Sequence, residues 1–122
     1  MAKLRSSLAL LLILSGCAGL VPPSATPSPA LAEKVHSLMA EDRACSLSIA
    51  GALAAYHLTA DGISSVDLTP QPPADPTDYF LPQRQAWVRR PGQPGQIVVQ
   101  YDRKDCRIAT VYARDGATLP AI

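Results

Sequence analysis

The chain has 122 residues, 48% of them hydrophobic and 17% charged, and its formal charge is +1. That length supports one modest core rather than two, and a near-neutral balance leaves no electrostatic footprint for nucleic acid. Three cysteines, twelve prolines and a single tryptophan carry most of the remaining information.

Lys3 and Arg5 precede a run of seven apolar residues, Leu8 to Leu14. A signal-peptide core needs about 7–15 such residues, whereas a spanning helix needs about 20. The run therefore predicts an export signal rather than a membrane span. It ends in Leu14-Ser15-Gly16-Cys17, which resembles the lipobox of bacterial lipoproteins. The resemblance implies cleavage before Cys17, lipidation of Cys17 and attachment to a membrane through that lipid. Ala18 follows, with no aspartate to suggest inner-membrane retention. By resemblance to lipoprotein sorting in many Gram-negative bacteria, the expected location is the periplasmic side of the outer membrane. An ordinary secretory signal with a coincidental cysteine is the alternative.

Residues 1–16 are thus expected to be removed as a signal peptide. Residues 17–30 would be the lipidated cysteine and a tether, since Pro22, Pro23, Pro27 and Pro29 stand there among uncharged Ala, Ser and Thr. Such a stretch cannot bury a core and stays partly extended. Residues 31–122 would form a small periplasmic domain. Without Lys3 and Arg5 the remaining chain has nine basic and ten acidic side chains.

Leu31, Val35, Leu38 and Met39 recur at helical spacing, and Ser28 or Pro29 marks a start. Residues 44–58 are ambiguous. Five alanines favour helix, with Leu47, Ala50, Ala54 and Leu58 on one stripe. Cys45, Leu47, Ile49 and Leu53 also alternate with small residues as in a half-buried strand. The alanines decide for helix.

Residues 59–83 predict a connecting loop, with Asp61, Asp67, Asp75 and Asp78 among Pro70, Pro72, Pro73, Pro76 and Pro82. A short strand around Ile63–Leu68 is compatible with the pattern. The aspartates lack the close regular spacing and the glycine of a calcium loop, so a solvated acidic face is expected. Three strands follow, over Arg84–Arg90, Gln96–Tyr101 and Cys106–Ala113. A four-residue turn would pair Tyr101 with Cys106 and place Ile97, Val99, Tyr101, Cys106, Ile108 and Tyr112 on the inner face. Val98 and Val111 would face outward.

With Cys17 consumed by lipid, Cys45 and Cys106 remain as an even pair in an oxidising compartment and are expected to form one structural disulfide. No Cys-x-x-Cys spacing suggests redox chemistry. His36 and His57 lack partners at metal-ligand spacing, and no nucleophile elbow or phosphate-binding glycine loop is present. The expectation is no catalytic residue, no metal site and no cofactor.

Segment 84–114 has seven basic and two acidic side chains, whereas segment 61–78 is acidic only. These segments either neutralise each other or leave a basic surface for an anionic envelope partner. The candidate contact residues are Trp87, Arg89, Arg90, Arg103, Lys104 and Arg107. Trp87 fits a core position as well. The expected fold is α+β, with one or two N-terminal helices on a three-stranded antiparallel sheet. Helix-pair-plus-hairpin lipoproteins of envelope assembly complexes have a comparable layout, an analogy of fold alone. The expected role is a non-enzymatic accessory or interaction subunit of a cell-envelope complex. The alternatives are a small inhibitor or ligand-binding lipoprotein, similar in size to periplasmic lysozyme inhibitors, and, more remotely, an envelope hydrolase.

Overall fold

The computed structural model describes residues 21–70 and 83–122. The lipobox with Cys17, the apolar run before it and the proline-rich stretch holding Asp75 and Asp78 lie outside the described residues. Among the described residues, two α-helices and an antiparallel four-stranded sheet make an α+β fold with one disulfide. Helix α1 spans Pro29–Leu38 and α2 spans Ser46–Ala55. The strands are β1 (Ser65–Leu68), β2 (Gln83–Arg89), β3 (Gln96–Asp102) and β4 (Ile108–Arg114), ordered β1-β2-β3-β4 in the sheet.

The expected strand count of three is corrected to four. The added strand is β1, which pairs Val66 with Val88 and Leu68 with Ala86. The helices are not N-terminal either, because α1 begins only at Pro29. Pro22, Pro23 and Pro27 cannot supply the donors a helix needs. The Ser28 hydroxyl then accepts from the Leu31 N–H at 3.1 Å, and Pro29 occupies the first turn. Leu31, Val35 and Met39 are buried, as their spacing implies.

Residues 44–58 do contain a helix, but not the expected stripe. Leu47 is 62% exposed, whereas Ile49, Ala50, Ala52 and Leu53 are fully buried. The helix is enclosed on more than one side. Beyond α1 and the sheet, the Ala25 N–H donates to the Gly51 carbonyl at 3.1 Å. Ala25, within the expected tether, therefore lies against α2, and the tether's last residues, Pro29 and Ala30, already belong to α1.

The inner face of the sheet carries Val66, Ala86, Val88, Ile97, Val99 and Tyr101, which join the helices in one core. The β3–β4 register differs from expectation. Tyr101 pairs with Ile108 rather than Cys106, and the shift between Gln100 and Tyr101 leaves Ala109 as an extra residue. That bulge inverts the alternation, so Val111 lies opposite Val99 on the inner side and Tyr112 lies opposite Val98 on the outer side. Cys106 stands before the strand with φ 62°. The connection is shaped by two aspartates: Asp102 Oδ1 accepts from Lys104 N–H at 2.8 Å and Asp105 Oδ1 from Arg107 N–H at 2.9 Å.

Gly92 and Gly95 in the β2–β3 connection have φ of 66° and 69°. They differ in surroundings. A Cβ on Gly92 would meet nothing within 4 Å, whereas one on Gly95 would overlap the Arg114 carbonyl oxygen and the Asp115 backbone. Gly92→Ala should therefore cost only the left-handed penalty, about 1 kcal/mol. Gly95→Ala should cost about 3 kcal/mol or more, because backbone must also move. Urea unfolding of the two variants side by side checks the difference.

Candidate functional site

The outer face of the sheet contains the only tryptophan, on the central strand β2. The register sets Asp67, Trp87, Val98 and Tyr112 in one row across all four strands. Gln85, Gln100 and Thr110 form the next row. Polar groups on this face are bonded to one another. The Trp87 indole N–H donates to Gln85 Oε1 at 2.9 Å, and Gln85 Nε2 donates to the Tyr112 hydroxyl at 3.1 Å. The Arg114 guanidinium lies 4.8 Å from the Trp87 ring centroid, a cation–π contact. Between Trp87 and Tyr112, Val98 is fully buried although it points away from the helices. Beside Trp87, Asp67, Leu68, Thr69 and Pro70 border a shallow, mainly apolar recess of about 240 Å³.

Apart from Trp87, in the middle of β2, the candidate contact residues fall into two groups. Arg89 is exposed at the end of β2, and Arg90 just beyond it donates to the Thr118 carbonyl at 2.7 Å. Arg103, Lys104 and Arg107 lie in or beside the β3–β4 turn, at the other end of the sheet, because Gln83 rather than Arg89 pairs with Asp102. Six residues of strand separate the groups by roughly 20 Å. Lys104 and Arg107 are exposed.

Arg103 is held in a cluster that the sequence did not reveal. Its Nε and Nη2 bond the Asp42 carboxylate at 3.0 Å each. Asp42 also accepts from the Tyr101 hydroxyl at 2.8 Å and from Arg84 Nη1 at 3.1 Å. Arg84, itself buried on the inner face, bonds Glu41 at 2.6 Å and donates from Nε to the Thr69 carbonyl at 2.6 Å. Burial pushes the Asp42 pKa up, but hydrogen bonds from Arg103, Tyr101 and Arg84 outweigh it and hold the carboxyl below its ordinary 3.8. Burial, with the Asp42 bond added, raises the Tyr101 phenol above its ordinary value of 10.0. The acid is thus ionised and the phenol protonated near neutrality, so the cluster locks the chain rather than trading protons. Only Arg84 and Arg103 of the basic segment are paired in this cluster, by Glu41 and Asp42, which lie outside the acidic segment expected to neutralise it. Among the described residues, neither Asp61 nor Asp67 makes an ion pair. One signal for this cluster was present: Arg84 shares the inward parity of Ala86 and Val88.

The disulfide stands next to the cluster. Cys45 and Cys106 have Cα atoms 5.0 Å apart. The Cys45 N–H donates to the Asp42 carbonyl and the Cys106 N–H to the Asp102 carbonyl, both at 2.8 Å. Bond and ion cluster together tie the turn between the helices to the β3–β4 turn.

His36 Nδ1 lies 3.1 Å from Ser46 Oγ. Ser46 is buried in the first turn of α2, and among the described residues no carboxylate bonds the imidazole. The pair joins the two helices. His57 borders an open recess of about 260 Å³ with Asp61, Arg90 and Gln93. Among the described residues no group of three or more His, Cys, Asp or Glu could hold a metal ion, and no helix is long and apolar enough to cross a membrane. Comparison with protein-family models, with curated proteins and with solved structures finds no match to this chain.

Proposed function

We propose that this chain is a lipoprotein anchored through Cys17 to the periplasmic side of the outer membrane, acting there without catalysis as an interaction subunit of a cell-envelope complex. The observation that carries the reading is the Cys45–Cys106 disulfide behind a lipobox-like N-terminus. Such bonds persist outside the cytoplasm. The docking of Ala25 on Gly51 adds a distance argument. The eight steps of chain from Cys17 to Ala25 reach at most roughly 29 Å when fully extended. A domain so tied stays close to the lipid surface. Its contact surface is the outer sheet face, where Trp87 and Arg89 stand on β2. Trp and Arg are the side chains that most often anchor interfaces.

Metabolic labelling with palmitate tests the anchor. The full chain should take up label and sediment with outer membranes, whereas Cys17→Ala should stay unlabelled and lose membrane attachment. For the subunit role, a detergent extract of the native membrane should yield a stable envelope partner with the wild-type chain. Trp87→Ala should weaken that recovery. A chain that brings down no stable partner would count heavily against the role.

The apolar recess beside Trp87 favours a second reading, a small ligand-binding or inhibitor lipoprotein. Trp87 is the single tryptophan, so its fluorescence would report a ligand entering that recess.

A further inference from the structure

Gly51 shows which side of the domain the tether reaches. A Cβ there would lie 3.1 Å from the Ala25 carbonyl oxygen and 3.1 Å from Ser24 Oγ, so this face of α2 carries the chain that leads back to Cys17. Leu47 precedes Gly51 by four residues and stands on the same face, one turn nearer the start of the helix. It is 62% exposed. Val21 is 73% exposed, and Ile122 at the C-terminus is the only other large hydrophobic so exposed among the described residues. Val21 and Pro22 border an open recess of about 320 Å³ with Arg107, Ile108 and Ala109. The Cys45–Cys106 bond brings the start of α2 beside that recess, with Cα atoms 5.0 Å apart. One side of the domain therefore presents Val21, Leu47 and Ala109 to solvent, with the exposed side chains of Lys104 and Arg107 beside them.

We propose that this side lies on the phospholipid surface that holds the Cys17 lipid. Val21 and Leu47 then meet the boundary between headgroups and acyl chains, and Lys104 and Arg107 meet headgroup phosphates. The inference rests on the anchor at Cys17. What selects lipid as the occupant is the length of chain between anchor and surface. The four steps from Cys17 to Val21 reach at most roughly 14 Å when fully extended. The headgroup layer is itself about 5–7 Å thick on each side of a bilayer, so Val21 stands in it or just above it. Asp105 is exposed in the same turn as Lys104, so charge alone does not hold the surface down. The apolar residues supply the contact and the cations strengthen it on anionic lipid. Trp87 stands on the opposite side of the sheet from α2 and remains free for a protein partner.

The experiment reconstitutes the lipidated full chain into vesicles of phosphatidylethanolamine with a minority of phosphatidylglycerol, carrying a nitroxide high on the acyl chain. A single NBD fluorophore is attached through Leu47→Cys, Ala109→Cys or Gln93→Cys, the last in the β2–β3 connection at the far end of the sheet. One label per chain shows that Cys45 and Cys106 stay bonded. NBD at residues 47 and 109 should lose most of its emission to the nitroxide, and at residue 93 should keep nearly all of it. Val21→Glu combined with Leu47→Glu should restore most of the emission at residue 109 while the chain stays lipidated. Should a labelled variant not fold, hydroxyl-radical footprinting of the unlabelled chain provides the second measurement. Leu47 should be modified in soluble Cys17→Ser and protected in the lipidated wild type on vesicles. Equal quenching at the three sites, or quenching strongest at residue 93, would overturn this inference alone, since the mass of the lipid and flotation with vesicles read the anchor separately. A wild type that carries no lipid would overturn both. A benzophenone at residue 47 that captures one protein and no phospholipid in native membranes would overturn the lipid contact as well.

Discussion

Replacing Cys45 and Cys106 together by serine is expected to lower unfolding free energy by about 4 kcal/mol. The bond spans a sequence separation of 61. Cross-linking so long a loop removes much of the freedom of the unfolded chain, and small domains have only about 5–15 kcal/mol of net stability. Serine is close to cysteine in size, so the loss reflects the missing bond more than a cavity. Urea unfolding of the wild type with and without reductant provides the check. Reduction should move the wild type onto the curve of the double variant and should leave that variant unchanged. A second consequence is local. The bond holds the turn carrying Arg103 against the residues that carry Asp42, so its loss should also loosen that ion pair and make unfolding more sensitive to salt. A double variant within about 1 kcal/mol of wild type would show that the ion cluster and core suffice without it.

The pairing of those cysteines was legible from count and compartment, but the geometry offered for it was not right. The strand alternation put Cys106 inside β4, opposite Tyr101, whereas it lies in the preceding turn. An extra residue at a bulge has no signature in a string of Ile, Ala, Thr, Val and Tyr, yet it reverses which side each later residue faces. Tyr112 and Val111 exchanged faces for that reason. Helix α1 was legible because its signals are local: a serine cap, a proline in the first turn and one apolar stripe. Helix α2 offered no stripe to read. It is apolar nearly all round, and the exposure of Leu47 is decided by what packs on the other sides. Strand β1 is four residues long with Val66 alone buried, too short a run for alternation to separate from a loop. The outer face could not be assembled from sequence either, since Trp87, Val98 and Tyr112 meet only through the register of three strands. Lys104 and Arg89 belong to one basic segment of sequence but to opposite ends of the sheet.

Removing the charge of Asp42 is the other change expected to have a large effect. Asp42 has φ 54°. Asparagine tolerates that left-handed backbone as well as aspartate does, so Asp42→Asn isolates the charge. The variant leaves Arg84, whose side chain is 6% exposed, with Glu41, whose side chain is 61% exposed and largely solvated. It also withdraws the carboxylate from the Arg103 fork and from the Tyr101 hydroxyl. Breaking a buried pair in this way costs about 3 kcal/mol, because the remaining charge stays buried. Glu41→Gln should cost less than about 1 kcal/mol, as expected for an exposed partner. The acid limb of stability provides a separate readout. Asp42 is held below its ordinary 3.8 in the folded state, so the unfolded chain takes up its proton first as pH falls. Its contribution is complete at neutral pH, begins to fade as pH approaches 3.8, and is lost as pH passes the lower folded value. Wild type should therefore lose stability below about pH 4 more steeply than Asp42→Asn, whose curve lacks this group. Chemical unfolding at a series of pH values measures both effects at once. If the two proteins showed the same stability at pH 7 and parallel acid limbs, the cluster would be an ornament of the surface and not the lock between helices and sheet.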